Sequence, residues 1–253
     1  MVFSPSFKTT DKINETLARY GNLASDGRPI LGMDAEELAK ICLDIDEKCL
    51  VIPAHIWTPW FAVFGSKSGF NSLQEAFGEM EKYIYAVETG LSSDPKMNWQ
   101  LSQLNNKTIL SNSDAHSAEN FAREANVFRM KELSYQNIFD IIRNNDRERF
   151  VHTIEFYPEE GKYHQDGHRD CGVNFSPEES KKHHNRCPKC GLPLTIGVLN
   201  RVQELADQEA RAEGRVPAKY IVPLQQIIGE VFGVGVKSKR VQAEYQKLTA
   251  HTP

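Results

Sequence analysis

Apolar positions recur at helical spacing in some stretches of the chain and run continuously in others. Ile13 and Leu17 stand four apart within 11–20, which predicts a short helix. Asp34 with Glu37 has capping-box spacing ahead of Leu38, Ile41, Cys42 and Ile45, which share one helical face. Ser72 with Glu75 opens another helix, NWQLSQL (98–104) reads as helical, and Ser134 caps SYQNIFDIIRNN. Between these lie four expected strands: 49–53 (CLVIP), 83–88 (YIYAVE), 108–113 (TILSNS) and 149–157 (RFVHTIEFY). Continuous apolar strands alternating with amphipathic helices over 11–157 predict a parallel sheet or barrel. From 158 to 193 the chain is rich in Gly, Pro, His, Lys and Glu and has no apolar period. Helical spacing resumes at Val198, Val202 and Leu205, then at Ile221, Leu224, Ile227, Ile228 and Val231.

The polar positions that follow the strands carry the candidate chemistry. In parallel α/β folds the C-terminal strand ends bear the site. His55, Glu88, Asp114 and His116 all fall at or just after such ends. Asp114 and His116 flank one alanine, and residues i and i+2 of a strand share a face. A carboxylate and an imidazole so placed suit a divalent metal. The bland alternative is a polar surface turn; the strand-end placement of the other residues favours the metal.

The 253 residues allow one large domain or two smaller ones, and 40% hydrophobic with 25% charged residues is ordinary for a globular protein. A net charge of −4 gives no overall nucleic-acid signal, although a local basic patch is compatible with it. No segment has the ~20 apolar residues of a membrane helix, and the N-terminus lacks a signal-peptide pattern, so a cytoplasmic protein with reduced cysteines is expected. Cys42 and Cys49 sit among apolar residues and read as buried hydrophobes. Cys171, Cys187 and Cys190 lie in a polar stretch, HRDCGVNFSPEESKKHHNRCPKCG, in which HxxC at 168–171 precedes CxxC at 187–190. Two close ligand pairs separated by a loop can close a structural tetrahedral Zn²⁺ site. His168 is preferred as the fourth ligand because its spacing mirrors the CxxC pair, with His164, His183 and His184 as competitors.

Two further stretches have divided readings. In HIWTPWFAVFGSKSGF, Trp57, Trp60, Phe61 and Phe64 suit either a core cluster or base stacking beside Lys67. In FGVGVKSKRV, glycines precede Lys237, Lys239 and Arg240 at an expected helix start, which suits either a solvated helix end or a phosphate contact.

The stretches PAHIWTPWF, FGSKSGFNS, ETGLSSDPKMNW, SNSDAHS, EEGKYHQDGHRDCGV, CPKCGLPLTIGV and GEVFGVGVKSKRVQ together resemble endonuclease Q, of the PHP metallohydrolases. The resemblance implies an α/β fold: the C-terminal portion of a distorted (β/α)7 PHP barrel over 1–157, a small zinc-binding module over 158–197, and a helical, DNA-binding C-terminal region over 198–253. It implies a metal-dependent DNA-repair endonuclease cutting 5′ of deaminated bases (hypoxanthine, uracil, xanthine) or abasic sites. His55, Asp114 and His116 match catalytic metal ligands (Zn²⁺, Mg²⁺ or Mn²⁺), and His168, Cys171, Cys187 and Cys190 match the zinc module; Glu88 falls in a matched segment without an assigned role. The HxH motif near the start of the family pattern is absent from this sequence. The expectation is therefore a fragment with an incomplete site, completed by a separately encoded N-terminal part. The alternatives are a catalytically inactive DNA-binding remnant and a phosphoesterase acting on a small molecule.

Overall fold

The computed structural model describes residues 1–25 and 29–250. In chain order the elements are β1 (Val2–Phe3), α1 (Phe7–Leu17), α2 (Ala35–Ile45), β2 (Leu50–Val51), α3 (Leu73–Phe77), β3 (Ala86–Glu88), α4 (Pro95–Asn98), β4 (Thr108–Leu110), β5 (Ala125–Phe128), α5 (Tyr135–Arg143) and β6 (Phe150–Glu155). They continue with β7 (Asp166–His168), β8 (Val173–Phe175), α6 (Pro177–Lys182), α7 (Val198–Leu205), β9 (Ala218–Tyr220), α8 (Leu224–Phe232) and α9 (Lys239–Thr249). The expected caps form. Asp34 accepts from the Glu37 amide, Ser72 from Glu75 and Ser134 from Asn137, each satisfying an amide that the first helical turn leaves open.

The strands are shorter than their apolar runs. Residues 78–83 form a 3₁₀ helix, so β3 begins at Ala86 rather than Tyr83. The 98–104 helix is displaced: α4 precedes it, with Pro95 in its first turn, and a 3₁₀ turn covers Ser102–Leu104. β4 stops at Leu110, because Ser111 turns its amide to the Asn126 side chain instead of to a strand. Among the described residues the ladders form four small sheets rather than one continuous sheet. β3 and β4 are parallel (Glu88↔Leu110), as are β6 and β9 (Glu155↔Tyr220); β1–β2, β5–β6 and β7–β8 are antiparallel. β5, β7, β8 and β9 had no clear sequence signal.

The inner strands bury both faces, and their side chains alternate between two apolar clusters. Val51, Val87 and Ile109 join Ile13, Leu17, Cys42, Val198 and Val202 of α1, α2 and α7. Leu50, Ala86 and Leu110 join Phe139, Ile141 and Ile142 of α5. This period of two explains why the runs are continuously apolar: helices cover each face. Burial pushes the thiols of Cys42 and Cys49 up to about 11 and about 12, as suits small core hydrophobes.

Candidate functional site

β3, β4 and β6 end on the same rim as the residue preceding β5. Glu88 closes β3, Glu155 closes β6, Ser111 follows β4, and Glu124 stands just before β5. All three glutamates are buried. Glu88 ties the loops together: its carboxylate accepts the amides of His55 and Gly90 and meets the backbone of Asn112. It therefore holds the loops after β2 and β4 against β3. Burial raises its pKa, with the Asp114 charge adding to the effect. Ser111 Oγ lies 3.1 Å from Glu155 Oε2, and the Phe156 amide donates to Glu124 Oε1 at 3.3 Å. The remaining oxygens, Glu155 Oε1 and Glu124 Oε2, are buried without a hydrogen-bond partner. Burial first, then neighbouring carboxylates, push Glu124 up to about 9 and Glu155 up to about 8.

His55 and Asp114 sit on this rim, both in the left-handed backbone region (φ 37° and 42°), which is uncommon for residues with a Cβ. His55 Nδ1 lies 3.1 Å from Thr58 Oγ1. Asp114 and His116 do not share a strand face, because β4 has already ended. A turn joins them instead, with His116 Nδ1 2.8 Å from the Asp114 carbonyl, and both residues are exposed. The structure does not gather the ligand atoms of His55, Asp114 and His116 into one cluster.

It does gather the other four. The ligand atoms of His168, Cys171, Cys187 and Cys190 all lie within 4.8 Å of one another. Among the described residues this is the sole set of three or more His, Cys, Asp or Glu side chains converging in that way. Cys190 Sγ stands 3.9 Å from His168 Nε2, close to the ~3.5–3.8 Å between ligand atoms around a tetrahedral ion with normal Zn–S and Zn–N bonds. Local geometry builds the site. β7 ends on His168, a 3₁₀ turn carries Cys171, and Gly172 turns left-handed into β8. In the knuckle, Gly191 (φ 76°) donates to the Cys187 carbonyl at 2.8 Å, and Lys189 Nζ reaches the Cys171 carbonyl at 2.7 Å. Hydrogen bonding to Cys190 heads the causes that push the Cys171 thiol up to about 11, whereas in Cys187 the upward push of burial is outweighed by hydrogen bonds, those from the backbone amides of Cys190 and Lys189 first, which draw the thiol below its ordinary value. The local core is just Val173, Cys187 and Leu194, so a metal cross-link suits this segment. His164 is buried elsewhere, with Nδ1 3.0 Å from the Ser92 carbonyl. His183 stacks on Phe175, and His184 is exposed in a left-handed turn.

The segment after His55 divides its aromatics. Trp57 and Phe64 are core, with ring centroids 4.9 Å apart and Trp57 Nε1 bonded to Asn98. Trp60 and Phe61 are exposed, as is Lys67. Gly65 and Gly69 do not form an open phosphate cradle: their amides bond within the loop, and a Cβ on Gly69 would run into the Gly65 backbone. In the C-terminal hairpin, Gly233 ends α8 in the left-handed region and Ser238 caps α9. Lys237, Lys239 and Arg240 are exposed, Arg240 lying 4.0 Å from the Phe232 ring centroid.

Sequence reasoning missed Glu124 and Glu155. Glu155 ends its strand as Glu88 does, so its position was a usable signal; Glu124 precedes a strand without an apolar pattern and offered none.

Fold and site thus define a mixed α/β protein with a Cys3His cluster of metal-binding geometry and a carboxylate-rich strand-end rim. The chain is similar in structure to endonuclease Q. It superposes on the crystal structure of the lesion-specific endonuclease PfuEndoQ from Pyrococcus furiosus with a TM-score of 0.85 and 30% identity, covering 99% of this chain and 62% of that one. A crystal structure of endonuclease Q in complex with a 27-mer duplex substrate, an abasic lesion at its active site, gives 0.88 and 29%, covering 98% and 62%. Sequence relatives include an uncharacterized protein of Methanocaldococcus jannaschii, 31% identical over 200 residues (76% of this chain, 24% of that protein). The uncharacterized protein YqxK of Bacillus subtilis is 36% identical over 222 residues (84% and 54%). The chain therefore spans less than two thirds of each of these proteins. No family model matches it. Among the described residues, no helix is long and apolar enough to cross a membrane.

Proposed function

We propose that the chain carries part of a metal-dependent DNA-repair endonuclease that cuts 5′ of deaminated bases (hypoxanthine, uracil, xanthine) or abasic sites. The observation that carries this reading is the likeness to endonuclease Q over 99% of the chain. In this reading residues 1–157 bear the catalytic rim, 158–197 the structural zinc module and 198–253 a DNA-contacting region. His55, Asp114 and His116 contribute donors to a divalent ion (Zn²⁺, Mg²⁺ or Mn²⁺). Such an ion, once bound there, would supply Lewis-acid chemistry to phosphodiester hydrolysis. Glu88 acts through position: it fixes the His55 loop to β3 and to the loop leading to Asp114. Lys67, Lys237, Lys239 and Arg240 meet phosphates, where exposed cations act without sequence preference.

Three donors do not close a multi-metal site, and the HxH motif that the resemblance implies is absent. The chain alone is expected to nick inosine-, uracil- or abasic-site duplex slowly or not at all. An HxH-bearing segment of endonuclease Q type, supplied as a fusion or in trans, is expected to restore nicking, and Asp114→Asn to abolish it again. Full activity of Asp114→Asn in the reconstituted protein would remove Asp114 from the site. The second reading, a DNA-binding protein without catalysis, draws on the ungathered ligand atoms of His55, Asp114 and His116. Lesion-duplex binding that is never accompanied by nicking, even after reconstitution, would select it.

A further inference from the structure

Phe61 has a combination of properties that folding does not require. It is a bulky residue in the left-handed region (φ 56°) and is 81% exposed. Phenylalanine rarely occupies this region, and here the side chain recovers no burial in return. The surrounding loop holds the conformation in place. The Phe61 amide donates to Ser68 Oγ at 3.0 Å, and Lys67 N bonds the Pro59 carbonyl at 2.9 Å. Beneath it, the buried Arg201 guanidinium of α7 grips the Phe64 and Phe70 carbonyls at 3.0 and 3.1 Å. The Ser66 hydroxyl bonds the Ile196 carbonyl at 2.7 Å. The buried Trp57–Phe64 pair anchors the base of the loop. The result is a preset apolar prong on a stiff support, six residues beyond His55.

A cation shares the loop, and charges of both signs line the groove beside it. Lys67 is exposed on the same loop. Trp60, next to Phe61, stands edge-on to Tyr163 at 6.1 Å and borders a groove of about 820 Å³ lined by Lys162 and Arg169 together with Glu159 and Glu160. An exposed aromatic prong with a lysine on the same loop matches a base stack with phosphates alongside it.

We propose that Phe61 is a wedge that inserts between base pairs of duplex DNA and occupies the space of a displaced or missing base. The proposal rests on the DNA reading above. Stacking on the ring offsets the loss of base–base stacking, and the preset backbone spares the cost of ordering the prong at the moment of binding.

The test uses the full zinc-loaded chain and two labelled duplexes of one sequence, one intact and one carrying a tetrahydrofuran abasic analogue beside 2-aminopurine. Wild type is expected to favour the lesion duplex and to change the 2-aminopurine fluorescence. Phe61→Ala is expected to bind intact duplex as before, to lose about tenfold in lesion preference, and to abolish the fluorescence change; Phe61→Trp should retain both. Phe61→Gly is expected to raise Tm by about 2–4 °C, because glycine relieves the left-handed strain. Unchanged lesion preference in Phe61→Ala, or a lower Tm in Phe61→Gly, overturns the wedge alone. A wild-type chain that binds neither duplex overturns the DNA reading and the wedge with it.

Discussion

Glu155→Gln replaces the most deeply buried carboxyl of the rim with a neutral group of the same shape. In the fold Glu155 is fully buried, one oxygen near Ser111 Oγ and the other unpartnered. Burial pushes its pKa up to about 8 from an ordinary value of 4.5. The unfolded chain ionises near the ordinary value, while the folded chain keeps the proton until about pH 8. The stability associated with the protonated acid is thus fully present below about pH 4.5 and is lost as pH rises through about 8. Over that window the slope approaches about 1.4 kcal/mol per pH unit for one group, a total on the order of 3–5 kcal/mol. The Glu155 charge is also among the causes that raise Glu124, after burial, so neutralising Glu155 eases the rise of its neighbour. Urea unfolding at half-unit steps from pH 5 to 8.5 measures this directly. Wild type should lose midpoint steadily with rising pH, and Glu155→Gln should follow a flatter profile, with its advantage growing toward pH 8. Parallel profiles for the two proteins would refute the assignment of a protonated, desolvated Glu155.

Other expectations concern the remaining sites. Protein purified without chelator should hold about one tightly bound Zn²⁺ per chain by the four-donor count; Cys187→Ser should release it and raise hydrogen exchange over 160–200, and zinc-free wild-type protein would contradict the assignment. Replacing Lys237, Lys239 and Arg240 together by Ala should weaken duplex binding and reduce the slope of log affinity against log salt by up to about 3; an unchanged slope takes the hairpin out of the interface. Trp57→Ala should cost about 3–5 kcal/mol in urea unfolding, whereas Trp60→Ala, being half exposed, should stay within about 1 kcal/mol; equal losses would mean that the division of this aromatic segment has been misjudged.

The helices and the Cys3His centre were legible because their signals are local. Asp34, Ser72 and Ser134 declare their helix starts within three residues, and the side chains that cap them are the ones expected. HxxC and CxxC place each ligand pair within a single turn, so folding has only to bring two preformed halves together. The continuous apolar runs likewise announced strands covered on both faces, as the alternation of Val51, Val87 and Ile109 against Leu50, Ala86 and Leu110 shows.

Other features depend on residues far apart in the chain. Nothing adjacent to Tyr83 or Ser111 says where pairing must stop; the limits follow from a 3₁₀ helix and from Asn126 fifteen residues downstream. β9 carries little apolar pattern, yet it pairs with β6 because folding brings 218–220 beside Glu155. The aromatics after His55 are alike in composition, and burial alone separates Trp57 and Phe64 from Trp60 and Phe61. Glu88 reads as one more strand-end acid until its carboxylate is seen holding amides from separate loops. Spacing along the chain encodes what neighbours within a turn or a strand can do. Which oxygen is left without a partner and which ring stays in water depend on contacts between segments that only folding makes neighbours.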